Sequence, residues 1–258
     1  MNNVFAVAVI AIKEMYRRKD FYVLLILTVL ITALMGSVNF FHDDKIVRYL
    51  KEVCLLLIWI SSLFIAIGSM ARQVPSEKEN RTIFPLLAKP ISRTQLLIGK
   101  FLGCWAACGI ALVSFYLFFT LISASREHHW HFLNYFQAVT LHWVMLGILL
   151  ALTLLGSLIF TAPSSNATIC FILAAGELMV GRHLNKVALQ MGQPGHSLVY
   201  SLYYAMPHLE IFDVRNLIIH NWPAIPWVFY GIAVVYGLIY SAVFLAGACL
   251  LFRRRALC

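Results

Sequence analysis

Residues 71–103 read ARQVPSEKENRTIFPLLAKPISRTQLLIGKFLG, a charged, proline-punctuated island between two apolar runs. Six of the chain's 20 Lys and Arg lie between Arg72 and Lys100, although only 12% of the 258 residues are charged. The flanking runs, 53–71 and 101–125, carry no charge. Each is about as long as the ~20 residues that cross a ~30 Å hydrocarbon core. The island therefore reads as the connection between two membrane-spanning helices.

The composition extends that reading to the whole chain. Hydrophobic residues make up 61% of it and the mean hydropathy is +0.82. A soluble domain has roughly 45–50% apolar and about 25% charged residues. The expected fold is an all-α polytopic membrane protein with six transmembrane helices, at about 21–41, 53–71, 101–125, 137–161, 165–181 and 226–252. They form one membrane domain over 1–258, with no appended soluble or catalytic domain. Between the fourth and fifth spans the turn is placed at 161–166. There Pro163 ends one helix and Ser164 or Ser165 caps the next.

Charge sets the expected orientation. With the N-terminus inside, thirteen Lys and Arg fall on the inner side and seven on the outer. The inner side has four acids, so the formal charge of +9 sits on that face. Both termini and the island are then cytoplasmic. The pI near 9.4 is explained by this bias and by attraction to anionic inner-leaflet lipid, so no nucleic-acid partner is implied. At the N-terminus the apolar stretch 4–12 precedes the basic cluster Lys13, Arg17, Arg18 and Lys19, the reverse of a signal peptide. It reads as an interfacial helix leading into the first span. The six cysteines form no CxxC pair, and no metal site is expected from them.

Two helix-start signals divide the island. Ser76-Glu77-Lys78-Glu79 has the form of a capping box, opening a short helix that Pro85 interrupts. Ile83, Phe84, Leu86 and Leu87 give that helix an apolar side. Ser92-Arg93-Thr94-Gln95 is a second box, with Ile91 and Leu96 placed as a hydrophobic staple, and its helix continues through Lys100 into the third span. A stiff helix continuous with a span transmits a push into the bilayer.

The run EKENRTIFPLLAKPISRTQLLIGKFLG, Glu77 to Gly103, resembles the signature of type-2 ABC-exporter permeases: E-x-E, a later L-L, then P-I-S-R and G-K-x-x-G before the third span. KEMYRRKD (Lys13 to Asp20) and PHLEIF (Pro207 to Phe212) are similar to further family patterns. Asn80-Arg81 departs from the Arg-Gly of many members. The resemblance implies a subunit that works as a homodimer or heterodimer of permeases with two ATPase subunits. In that arrangement Glu77, Glu79, Asn80, Arg81, Phe84, Leu87, Pro90 and Arg93 would form or flank a coupling helix seated on the ATPase. It also implies a lid-like outer element between spans five and six, and a bacterial cytoplasmic membrane. This chain has no G-x-x-x-x-G-K-[ST], since Ile98-Gly99-Lys100-Phe101 lacks the upstream Gly and the Ser/Thr. ATP and Mg would be bound by the partner, leaving this chain non-catalytic.

Other polar residues are few. Glu177, placed near the outer end of span five, is a substrate-path candidate or a snorkelling acid. His142 reads as a polar cap on span four. His128, His129 and His131 could present imidazoles to a metal, but a loop anchored by Trp130 explains them as well. The run 198–204 suits an interfacial or re-entrant helix. A polytopic membrane enzyme would want paired acids, an H-E-x-x-H helix or a Ser/Lys dyad in its spans. A scaffold or channel would need no capped helix at the inner face.

Overall fold

The computed structural model describes residues 3–17, 28–33, 44–79, 92–127, 132–160, 162–190 and 206–254, with the single positions 22, 26, 197, 201 and 203. All regular structure among them is helical. The long elements are α1 (Asn3–Arg17), α2 (Asp44–Glu79), α3 (Arg93–Glu127), α4 (Phe132–Ile159), α5 (Pro163–Gln190) and α7 (Trp227–Arg254). A 3-10 helix (Leu209–Phe212) and the short α6 (Arg215–Ile219) lie between α5 and α7. Residues 28–33 are also helical.

Among the described residues, four stretches are by length and composition apolar enough to cross a bilayer: Lys51–Pro75, Arg93–Ser123, Phe132–Ile159 and Trp227–Arg254. They coincide with the second, third, fourth and sixth expected spans. The first expected span lies mostly outside the described residues. At the fifth position α5 is a continuous helix, Pro163–Gln190, that is not one of the four. Of the four, α4 is the most enclosed and α7 the least: 72% against 17% of the apolar window is buried. Thus α4 is the hub, packed on α2, α3, α5 and α7.

Two local expectations are corrected. α2 does not end before Ser76 but runs through Pro75 to Glu79, so Ser76 starts no helix. A proline costs one backbone hydrogen bond, and near the end of a long helix that loss does not stop propagation. Pro163 does not close the fourth span either: α4 ends at Ile159, and Pro163 is the first residue of α5. At that position the missing N–H would have no intrahelical partner anyway.

Close approach of small residues and reciprocal hydrogen bonds tie the helices together, as expected where lipid supplies no hydrophobic contrast. A side chain on Gly99 would meet Val7 at 2.6 Å, and one on Gly103 would meet the Ala8 carbonyl at 2.5 Å. The GKFLG motif is therefore the seat of α1, whose Val7, Ala8, Ala11 and Met15 are buried. Phe5, Ile10 and Tyr16 point outward, each more than half exposed, an apolar flank suited to an interfacial position. Between α3 and α4, Trp105 and Trp143 stack at 4.6 Å. Each indole N–H donates to the other residue's carbonyl at 2.9 Å. Gly109 and Gly147 leave room for these rings. Between α4 and α5 the buried Asn166 donates to the Thr153 carbonyl at 3.0 Å over the clearance that Gly156 leaves. Interhelical hydrogen bonds of this kind contribute about 0.6–2 kcal/mol each.

Candidate functional site

Two ends of the bundle carry polar chemistry. At the first, α3 begins in the expected capping box. Ser92 Oγ accepts from the Gln95 amide at 3.2 Å, and Gln95 Oε1 accepts from the Ser92 amide at 3.0 Å. α3 then runs unbroken to Glu127. Its first turns receive three other helices. α1 docks on Gly99 and Gly103. Lys100, 2% exposed, donates to the Gln73 carbonyl of α2 at 2.9 Å and to its Oε1 at 3.4 Å. Arg93 donates to the Phe252 carbonyl of α7 at 3.4 Å, and Arg253 donates to Thr94 Oγ1 at 3.1 Å. A push on this end of α3 is thus shared by α1, α2 and α7.

Glu77 and Glu79 occupy the last turn of α2, and Arg93 opens α3. Asn80, Arg81, Phe84, Leu87 and Pro90 lie outside the described residues, as do His128, His129 and His131. Sequence reasoning missed Gln73. It is 1% exposed, its Nε2 has no hydrogen-bond partner among the described residues, and it lines a pocket with Val7, Ala11, Glu14, Leu96 and Lys100.

At the other end, residues 206–225 are inserted among the long helices rather than laid over them. The 3-10 helix packs on α4 and α5, and α6 packs on α2 and α4. Pro207 and the 3-10 helix match the expected break and restart there. The run 198–204 is outside the described residues apart from 201 and 203.

Side chains from the spans hold the inserted segment by its backbone. Lys51 donates to the Ile218 carbonyl and to Asn221 Oδ1, both at 3.3 Å. Asn134 donates to the Trp222 carbonyl at 2.8 Å. Gln137 both donates to the Ile225 carbonyl at 2.8 Å and accepts from its amide at 2.9 Å. Asn221, at φ 51, turns the chain in the left-handed region that Asn tolerates.

The insertion also carries a partly buried charged pair. Asp213 and Arg215 form a two-pronged pair, Nε to Oδ1 at 2.8 Å and NH2 to Oδ2 at 2.9 Å. The guanidinium lies 4.8 Å from the centre of the Trp59 ring, and Trp59 stacks on His142 at 4.6 Å. Ser62 spends its one hydroxyl hydrogen on the Trp59 carbonyl at 2.8 Å. His142 Nε2, 2.9 Å from Ser62 Oγ, must then be the donor. Nδ1 is left to accept from Tyr116, 3.4 Å away. His142 is therefore an internal joint, 1% exposed, not a cap on span four. The available signal was positional: Asn134, Gln137, Leu141 and His142 share one buried face of α4.

Glu177 lies near the middle of α5 and is 5% exposed. It faces the inserted segment, within electrostatic range of Glu210. Cys54, Cys104, Cys108 and Cys170 are buried free thiols, and Cys249 is a half-buried one. Among the described residues no three His, Cys, Asp or Glu come together as a metal site.

A family model described as ABC-2 family transporter protein matches residues 8–257. A comparison with curated proteins returns no match.

Proposed function

The chain belongs to the ABC-2 family of transporter proteins, and from that premise we propose that it is the membrane subunit of an ATP-driven exporter. Two such subunits, alike or different, work with two ATPase subunits that bind ATP and Mg. The chain spans the bilayer six times, with both termini and the 72–100 island on the cytoplasmic side of a bacterial inner membrane. Glu77, Glu79, Asn80, Arg81, Phe84, Leu87, Pro90 and Arg93 belong to the surface that meets the ATPase. Glu177 belongs to the substrate path.

One observation carries this reading best. α3 is a capped helix that continues from the island into a span, and α1, α2 and α7 are fastened to its first turns. Such a cluster turns a small displacement at the island into a joint movement of most of the bundle. The inserted segment 206–225 closes the opposite end and supplies the element against which that movement would open a path.

Reversing both acids, Glu77→Lys with Glu79→Lys, places two like charges where the ATPase groove would expect carboxylates. Like-charge juxtaposition across an interface costs several kcal/mol, so affinity for the ATPase is expected to fall at least about 10-fold, where each tenfold is about 1.4 kcal/mol. Quantitative pull-down from membranes containing equal amounts of each chain measures it. Unchanged ATPase recovery would contradict the coupling role.

A further inference from the structure

One buried side chain carries a donor that the described residues leave unanswered. Gln73, in the last turns of α2, is 1% exposed, and its Nε2 has no hydrogen-bond partner among the described residues. The other arm of the amide is taken. Oε1 accepts from the Lys100 ammonium at 3.4 Å, and the Gln73 carbonyl accepts from it at 2.9 Å. A buried N–H without an acceptor is unfavourable, so this position calls for an acceptor.

The amide lines a cavity of about 20 Å³ between α1, α2 and α3, with Val7, Ile10, Ala11, Glu14, Leu96 and Lys100. That space admits one oxygen atom with its hydrogens, not a whole anion. Val7, Ala11, Leu96 and Lys100 are each at most 5% exposed, whereas Ile10 is 56% exposed and Glu14 is partly exposed. The cavity thus has a buried floor that donates, at Gln73 and Lys100. Its rim runs along α1 and is apolar at Ile10 and acidic at Glu14. The apolar stretch of α2 ending at Pro75 has 25 residues, about 37 Å at 1.5 Å per residue. The hydrocarbon core is only ~30 Å thick, so the last turn of that stretch, with Gln73, reaches the level of the lipid headgroups.

A zwitterionic headgroup matches this order of signs. A phosphoryl oxygen entering the cavity accepts from Gln73 Nε2 beside the positive charge of Lys100. An ammonium at the rim donates to Glu14, whose carboxylate has several acceptor sites. A trimethylammonium has no N–H for that carboxylate, and a wholly anionic headgroup would meet it with like charge. The acyl chains then lie along Ile10. We propose that the junction of α1, α2 and α3 binds one phosphatidylethanolamine, with a phosphoryl oxygen on Gln73 and the amine on Glu14, as a resident lipid that fastens α1 to the bundle. The site is separate from any transported substrate and does not depend on the exporter reading.

The test is native mass spectrometry of the purified, delipidated chain in detergent micelles, titrated with dioleoyl phosphatidylethanolamine, phosphatidylcholine or phosphatidylglycerol. The first ethanolamine lipid is expected to bind at least 10-fold more tightly than the first of either other lipid. Gln73→Glu keeps a partner for Lys100 but turns the donor into an acceptor, so it should weaken that binding at least 10-fold. Gln73→Met, similar in size and without a donor, should show the same loss, so a folding defect in one variant does not decide the result. Glu14→Gln should retain phospholipid but erase the preference for ethanolamine over choline. Lys13→Gln, an exposed charge on the same helix, should change neither. Equal binding of the three lipids, or wild-type selectivity in the Gln73 variants or in Glu14→Gln, would overturn the site and leave Gln73 to a water. Displacement by free phosphoethanolamine at equal concentration would overturn the assignment to a lipid.

Discussion

Replacing Asp213 by Leu is expected to destabilise the folded bundle by about 3 kcal/mol, the lower end of the range for breaking a buried ion pair. The lower end applies because the Arg215 and Asp213 side chains keep 24% and 18% of their exposure. The loss comes less from the missing attraction than from what stays behind. Arg215 would remain between Trp59 and the α2–α4 contact with no carboxylate to answer its charge. Arg215→Met alone should cost a similar amount, since it strands Asp213. The double variant Asp213→Leu with Arg215→Met should recover most of the loss, because two apolar side chains of similar size leave no unpaired charge. Unfolding midpoints in mixed micelles for the four chains give the coupling. Additive losses would show that the pair does not act as a unit.

Gly103→Leu should have the second large effect, and it should fall on α1. A Cβ at this position meets the Ala8 carbonyl at 2.5 Å and Ala11 Cβ at 2.8 Å. Backbone cannot step aside as a flexible side chain can, so α1 must lift off and surrender the burial of Val7, Ala8, Ala11 and Met15. Overpacking a tight contact costs about 1–3 kcal/mol, and losing the α1 seat puts this case at the upper end. Gly68 is the control. Nothing lies within 4 Å of its would-be Cβ, so Gly68→Ala should be neutral or gain about 0.5–1 kcal/mol from helix propensity. A cysteine cross-link between α1 and α3, formed in wild type and lost in Gly103→Leu, reads the undocking directly.

These residues also show which features a sequence exposes. The Ser92 capping box is a local device, complete within four residues, and it forms as its spacing demands. Ser76-Glu77-Lys78-Glu79 has the same local form, yet α2 runs through it. A pattern that can cap a helix does not do so when the preceding helix is already propagating and only one backbone bond is lost at Pro75. Gly99 and Gly103 were visible as a motif, but their purpose needs the partner helix, and α1 is some ninety residues away in sequence. Arg215, Asp213 and Lys51 counted only as charges outside the spans. Nothing in their own neighbourhoods announces that Trp59, Ser62 and His142 wait inside the bundle to receive them.

In the proposed function the work done by this chain is driven by an ATPase on another polypeptide. Affinity purification of the wild-type chain from its native membranes in mild detergent addresses it most directly, with the co-eluting proteins identified by mass spectrometry and the eluate assayed for ATP hydrolysis. A stoichiometric partner with a G-x-x-x-x-G-K-[ST] loop and measurable hydrolysis are expected, both diminished by Glu77→Lys with Glu79→Lys. A chain that elutes without such a partner, or with hydrolysis unaffected by that double reversal, would contradict it.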